Sequence, residues 1–320
     1  MHSKTKYDIS ATQVSAVFAA AVLGEVEEYE ALSDGMYNNV LAVTAGGERY
    51  VLKVAPLPEV EVLAHEHGLM GQELRFYALL RERTSIRTPR IVWEDLTRRL
   101  IPCDWFIMEF LPGKRLDKVR LSPAEKTGTD GAIEDILAQF HAITGDGFGY
   151  EQMGLEPNWH LALRKMVQAM VDDCARFGKR CPLGKKLLGH IERHRALLER
   201  VPSVLVNFDL HKMNVFYHEG ELTIFDLERC FWGDWIGDCM YRHFTPPKGF
   251  TSEERIRYWL LMAYLAVMTY TEKYSRYKPW NYLWWIDVMA TVTLGGMSFA
   301  ALRWLSATPA LRRHPSQERN

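Results

Sequence analysis

The segment Val206-Asn-Phe-Asp-Leu-His-Lys-Met-Asn-Val215 concentrates the residue types that could do chemistry. Asp209 stands five residues before Asn214, and Asp226 follows twelve residues later. Between them, Val215–Tyr217 and Leu222–Phe225 flank His218-Glu-Gly-Glu221, which predicts a tight hairpin. Such a hairpin can set Asn214 and Asp226 side by side. Two hard oxygen ligands next to a third carboxylate suit a magnesium ion held on phosphate groups.

Other clusters invite a chemical reading and are weighed against a plainer one. His190 and His194 are spaced i, i+4 on a predicted helix, but His-Ile-Glu-Arg-His lacks the His-Glu-x-x-His order of zinc proteases. A solvated face is expected for them, and equally for His65-Glu-His67. The five cysteines are odd in number and have no CxxC spacing, which predicts free thiols in a reducing cytoplasm and no zinc site.

The order of motifs resembles the aminoglycoside phosphotransferase/choline kinase family of small-molecule kinases, over roughly residues 8–245. The family loop His-Gly-Asp-Leu-His-x-x-Asn stands here as Asn207-Phe208-Asp209-Leu210-His211-Lys212-Met213-Asn214, with Asn207 and Phe208 departing from it. The family's Ile-Asp-x-Glu, Gly-Asp and Asp follow as Phe225-Asp226-Leu227-Glu228, Gly233-Asp234 and Asp238. Leu32-Ser33-Asp34-Gly35 and Asn38 resemble the loop that covers phosphates, with Asp34 replacing a glycine.

This resemblance implies a set of roles. Asp209 would orient or deprotonate the attacking hydroxyl. Asn214 and Asp226 would hold Mg²⁺, and Ser33, Gly35 and Asn38 would approach the phosphates. Lys53 would reach the α- and β-phosphates and pair with a helix glutamate, Glu73, with Glu66 as the alternative. Glu109 and Leu111, in Phe106-Ile-Met-Glu-Phe-Leu-Pro-Gly113, would meet the adenine edge through main-chain atoms. Asp238 and His211 would brace the loop. The nucleotide is ATP, with GTP as the alternative, and the acceptor is a small-molecule hydroxyl: an aminoglycoside or other antibiotic, or a choline-, sugar- or amino-alcohol-like metabolite. Antibiotic resistance is one biological outcome of that chemistry. A non-catalytic nucleotide-binding protein of the same fold is the competing reading. A protein kinase is disfavoured, because Gly233-Asp234 follows Asp226 within eight residues and no Ala-Pro-Glu comes after.

The elements that must position these residues fall into two parts. Ser10-Ala-Thr-Gln13 predicts a capping box, and Val14, Val17, Phe18, Ala21 and Val22 one face of a helix ended by Gly24. Strands are expected over Glu28–Leu32, Val40–Thr44, Tyr50–Val54, Arg90–Glu94 and Trp105–Phe110, with a helix over Glu61–Arg83. Beyond Leu111-Pro-Gly113, helices are expected over Gly131–Thr144, Trp159–Arg176 and Lys185–Glu199 and after Ser252, with one strand pair between them. The expected fold is therefore α+β and bilobal, protein-kinase-like, with residues 1–112 as a nucleotide-covering lobe and 113–320 as a helical lobe carrying the catalytic loop and acceptor site.

Composition agrees with a chain of 320 residues that is 48% apolar and 25% charged. The net charge of −1 gives no basic surplus for nucleic acid. It conceals 16 acids against 11 bases in residues 1–112 and 5 acids against 10 bases in 245–320. No membrane span is expected, since the apolar run Tyr258–Tyr270 is shorter than the ~20 residues a bilayer needs. Tyr277, Trp280, Tyr282, Trp284 and Trp285 are expected in core packing or, alternatively, on an acceptor-site wall.

Overall fold

The computed structural model describes residues 3–32, 37–277 and 282–307. The chain runs α1 (Ala11–Ala20), β1 (Val26–Ala31), β2 (Asn39–Ala45), β3 (Glu48–Val54), α2 (Leu69–Arg83), β4 (Ile91–Asp95), β5 (Trp105–Glu109), β6 (Lys114–Arg115) and α3 (Pro123–Ala142). It continues α4 (Trp159–Arg176), α5 (Pro182–Arg193), α6 (Arg195–Leu198), β7 (Val204–Val206), β8 (Val215–His218), β9 (Glu221–Ile224), β10 (Phe231–Gly233), α7 (Ser252–Arg276) and α8 (Tyr282–Ala307).

The fold is α+β. Five antiparallel strands form a sheet in the order β1-β2-β3-β5-β4, and helices dominate after β6. Two compact units are found. One takes the described residues within 1–143, 209–230 and 275–277; the other takes those within 144–208, 231–274 and 278–320.

In the first unit, strand alternation sorts the sheet into two faces. Leu41, Val43, Leu52, Val54, Trp105 and Ile107 are buried with Val14, Val17 and Phe18 of α1. Each residue between them points the other way, and on β3 these are Val51 and Lys53. The capping box of α1 forms as expected, with Ser10 Oγ accepting from Gln13 N–H and Gln13 Oε1 from Ser10 N–H. The helix nevertheless ends at Ala20, before Gly24, and Val22 takes the positive φ of 56°. Gly24 is needed for another reason: a Cβ there would lie 2.8 Å from the Gly46 Cα.

Three further expectations are corrected. The helix expected from Glu61 begins at Leu69, because Gly68 adopts φ 73° and separates it from a short 3₁₀ turn at Ala64–Glu66. α3 begins eight residues before Gly131, at Pro123, where Ser122 and Glu125 form a capping box. The expected Lys185–Glu199 helix is broken at His194 into α5 and α6.

The second unit is built on a large apolar core from α4, α5, α7 and α8. It also holds a strand pair absent from the expectation, β10 against β7. His190 is buried there, its ring 5.7 Å from Phe299, so the solvated face expected for it is wrong. His65, in the first unit, is likewise buried. All five cysteines are buried, and none forms a disulfide. α8 contains a 21-residue stretch, Trp284–Trp304, long and apolar enough to cross a membrane by length and composition, and most of its residues are not buried. That stretch outruns the apolar segment Tyr258–Tyr270.

Candidate active site

The side chains singled out by spacing converge within the first unit. β3 is flanked by β2 and β5, with Lys53 opposite Val40 and Phe106, so this lysine sits mid-sheet with only 5% of its surface exposed. A buried ammonium is costly unless neutralised. Its Nζ donates to Glu73 Oε1 at 2.9 Å and Oε2 at 2.8 Å, to Asp226 Oδ1 at 2.8 Å and to Glu228 Oε2 at 3.4 Å. Burial pulls the Lys53 pKa down, but Asp226, Glu73 and Glu228 outweigh it and hold it well above the ordinary lysine value.

Glu73, not Glu66, is therefore the partner of Lys53. Glu66 instead accepts from Arg276 Nη2 at 2.8 Å, and its Oε2 accepts from the Leu63 N–H at 2.8 Å.

The hairpin supplies the next two groups. β8 and β9 pair from Val215↔Ile224 to His218↔Glu221, and the Phe225 N–H donates to the Asn214 carbonyl at 3.1 Å. This register leaves Asn214 and Asp226 at the open end of the hairpin, and both line one cavity. Asp226 has φ 64°, and its N–H donates to the Tyr77 hydroxyl at 2.9 Å. Tyr77 lies one helical turn beyond Glu73 on α2, so one helix face steadies both Lys53 and Asp226.

Asn214 turns its amide nitrogen towards Asp209, donating to the main-chain oxygen at 3.0 Å and to Oδ2 at 3.2 Å. Its Oδ1 is thereby left to face elsewhere as an acceptor. Asp209 is further held by His211 Nε2, 3.4 Å from Oδ1, and by Arg229 Nε, 3.5 Å from Oδ2. His211 also caps the following turn, its Nδ1 accepting from the Met213 N–H at 3.2 Å.

The segment leading into Asp209 is strained. Phe208, where the resembling family has glycine, adopts φ 63°. A non-glycine residue there costs ~1–3 kcal/mol. The second unit supplies compensation: Phe208 is 1% exposed and packs on Phe231 and Tyr264 at ring distances of 5.3 and 5.5 Å. The Asp238 carboxylate accepts from the Phe208 N–H at 2.7 Å and the Asn207 N–H at 3.4 Å.

The cavity has a volume of about 440 Å³ and is bounded by Lys53, Glu73, Tyr77, Met108, Glu109, Leu111, Asn214, Asp226 and Glu228 among others. That is within the usual ~300–1,000 Å³ of a small-molecule site. The Glu109 N–H is donated to the Arg90 carbonyl at 3.0 Å, so contact of its main chain with a ligand falls to its carbonyl. Asn38 is buried, donates to Glu228 Oε2 at 2.8 Å, and has no partner at Oδ1 among the described residues. Ser33 and Gly35 lie outside the described residues.

Three carboxylates around one ammonium leave an excess of negative charge. Carboxylate oxygens of Glu73, Asp226 and Glu228 lie within 4.8 Å of one another. Burial first, and then the Asp226 charge, push the Glu228 carboxyl up to about 8. A divalent cation would relieve this repulsion, and Asp226 with the Asn214 Oδ1 offers the hard oxygen donors magnesium requires.

Sequence reasoning gave no role to Tyr77, Glu228 or Arg229. The i, i+4 spacing of Glu73 and Tyr77 was the available signal for the first. Arg229 adjoins Glu228 in sequence, but nothing local announces its approach to Asp209.

Comparison with known proteins adds to this geometry. A family model described as the phosphotransferase enzyme family matches residues 28–275. Among solved structures, an assigned aminoglycoside phosphotransferase from Ralstonia eutropha superposes with a TM-score of 0.64 at 14% identity, covering 93% of this chain and 99% of its own. A thermostable mutant of an aminoglycoside phosphotransferase in ternary complex with AMP-PNP and hygromycin B gives 0.61 at 16% identity, covering 93% and 100%. An assigned fructosamine-3-kinase from Haemophilus somnus gives 0.57 at 14% identity, covering 91% and 96%. None of the curated proteins matches in sequence.

Proposed function

Because the chain belongs to the phosphotransferase enzyme family, matched over residues 28–275, we propose that it transfers the γ-phosphoryl group of ATP, or alternatively GTP, to a hydroxyl of a small molecule. The observation that carries this reading is Lys53 Nζ bridging Glu73 and Asp226, with Asn214 and Asp209 hydrogen-bonded beside them.

In this reading residues 1–112 form the nucleotide-covering lobe, and 113–320 carry the catalytic loop and the acceptor site. Lys53, kept charged by its carboxylates, binds the α- and β-phosphates, and Glu73 fixes its position. Asn38 approaches the phosphates, its unpartnered Oδ1 oriented by Glu228, and Ser33 and Gly35 keep the phosphate-binding role that the resemblance implies. The Glu109 carbonyl and the Leu111 main chain meet the adenine edge. Asn214 and Asp226 would hold Mg²⁺, which when bound neutralises charge across the phosphates. Asp209 accepts the proton of the attacking hydroxyl, its carboxylate aimed by Asn214 and Arg229. Positioning and charge neutralisation are the main demands of phosphoryl transfer, and these contacts supply both.

The acceptor class stays at the small-molecule hydroxyl: aminoglycosides, other antibiotics, and choline-, sugar- or amino-alcohol-like metabolites. Two structural relatives carry hygromycin B and streptomycin, which places aminoglycosides first in a screen. Antibiotic resistance is the corresponding biological role, and the free thiols support a cytoplasmic location. The deciding experiment follows γ-labelled ATP into a panel of these acceptors with Mg²⁺, beside drug-susceptibility testing of a host expressing the chain. Label transfer to one acceptor class, lost in Asp209→Ala, is expected. Nucleotide binding without transfer to any acceptor would overturn it.

A further inference from the structure

The inner side of α8 is fixed in the core of the second unit. Phe299 and Leu302 are buried, Lys186 Nζ lies 4.2 Å from the Phe299 ring centre, and a Cβ at Gly295 would sit 3.5 Å from Leu183. Its outer side is unusual for a helix of this kind. Ten positions from Trp285 to Trp304 are exposed, and six of them carry large apolar side chains that are 38–68% exposed. Arg303 is the one charged residue of the ten. Leaving such a face in water is costly, at ~25 cal/mol per Å².

The exposed positions read alike in both directions about the point between Leu294 and Gly295. In an antiparallel arrangement Trp285 falls opposite Trp304, Met289 opposite Ala300, Val292 opposite Met297 and Thr293 opposite Gly296, with Ile286 against the stem of Arg303. The small pair Thr293 and Gly296 therefore lies nearest the axis and lets the helices approach, Val292 and Met297 meet beside it, Met289 meets the small Ala300, and the aromatic residues fall at both ends. A surface complementary to its own two-fold image is what an isologous dimer uses.

We propose that the outer face of α8 docks a second copy of this chain, with the two helices antiparallel about a two-fold axis near residues 294 and 295. The area fits. Six large side chains exposed by 38–68% along twenty residues of helix make an apolar face on the order of the ~800 Å² per partner of a stable interface. A lipid surface fits less well, because a helix lying on lipid carries a row of Lys and Arg along its polar side. The inner side of α8 is instead packed in the core.

Sedimentation of the full chain at tens of micromolar should give twice the chain mass of 37.0 kDa. Val292→Arg, beside the axis, should give the single-chain mass with unchanged helical circular dichroism. Thr293→Cys should cross-link to a covalent dimer under mild oxidation, because a residue this close to the axis meets its own copy; Trp285→Cys should not. A wild-type monomer overturns the proposal, whether or not it co-sediments with phosphatidylcholine/phosphatidylglycerol vesicles; co-sedimentation lost in Val292→Arg would assign the face to lipid. A dimer that survives Val292→Arg and leaves Thr293→Cys uncross-linked also overturns it, since the contact would then lie elsewhere.

Discussion

Arg276 donates to Glu66 across 2.8 Å in an environment that leaves the arginine 5% and the glutamate 2% exposed. The pair stands behind Tyr37: the Arg276 guanidinium lies 5.8 Å from its ring centre, and the Tyr37 hydroxyl donates to the Glu66 carbonyl at 3.2 Å. Tyr37 and the adjoining Asn38 both line the candidate nucleotide cavity. Removing one partner of a buried pair strands the other charge, at ~3–5 kcal/mol. Arg276→Met should therefore lower the unfolding free energy from urea denaturation by that amount. The double variant Arg276→Met, Glu66→Met should recover part of it. Simple additivity of the two losses would show that the charges are not coupled.

Asp209→Ala should reduce turnover by ~10²–10⁴-fold, the usual contribution of a positioned general base, while nucleotide affinity stays near the parent value. The measurement is steady-state kinetics beside nucleotide calorimetry. Unchanged turnover would remove Asp209 from that role.

Asp226→Ala should abolish the magnesium dependence of nucleotide binding, since it deletes a carboxylate from the proposed metal site. Titrating Mg²⁺ at fixed nucleotide checks this; a parental titration curve would exclude Asp226 as a ligand.

Phe208 gives a prediction of unusual sign. Both Phe208→Ala and Phe208→Gly lose the buried ring, worth ~3–5 kcal/mol. Alanine inherits the φ of 63° and its strain, whereas glycine adopts it freely. Phe208→Gly should thus be more stable than Phe208→Ala by ~1 kcal/mol. Urea denaturation of both variants decides it, and the ordinary order, alanine above glycine, would argue against strain.

His194 makes the second unit acid-sensitive. Burial, with the neighbouring His190 and Arg193, lowers its pKa from 6.5 to about 4. Between those values the unfolded chain binds a proton that the folded one does not, so stability rises with pH across this window. The full contribution is present above pH 6.5 and is lost as pH falls towards 4. His194→Gln should flatten the denaturation midpoint between pH 6.5 and 4; an unaltered slope would assign the sensitivity to other groups.

Much of this was written locally. The capping box at Ser10 and Gln13, the limits of α4 and the 215–224 hairpin depend on neighbours a few residues apart, and they appear where the sequence puts them. What escaped was tertiary. Glu66 and Glu73 are seven residues apart, two turns of an unbroken helix, so periodicity could not separate them; Gly68 breaks the helix and sends them to different partners. The β7–β10 pair joins three-residue strands 25 residues apart, too short to show a period. α7 and α8 are apolar on more than one side, which erases the contrast that marks a helical face.

The position of Arg276 also bears on how the protein could be shortened. The family match ends at residue 275, one residue before the guanidinium that neutralises Glu66. It begins at residue 28, after α1 has already covered one face of the sheet. A chain trimmed to the matched span would keep Lys53, Glu73, Asp209, Asn214 and Asp226. It would lose both the apolar cover of their sheet and the counter-charge behind Tyr37. The residues proposed for catalysis and those needed to hold their sheet together are different sets.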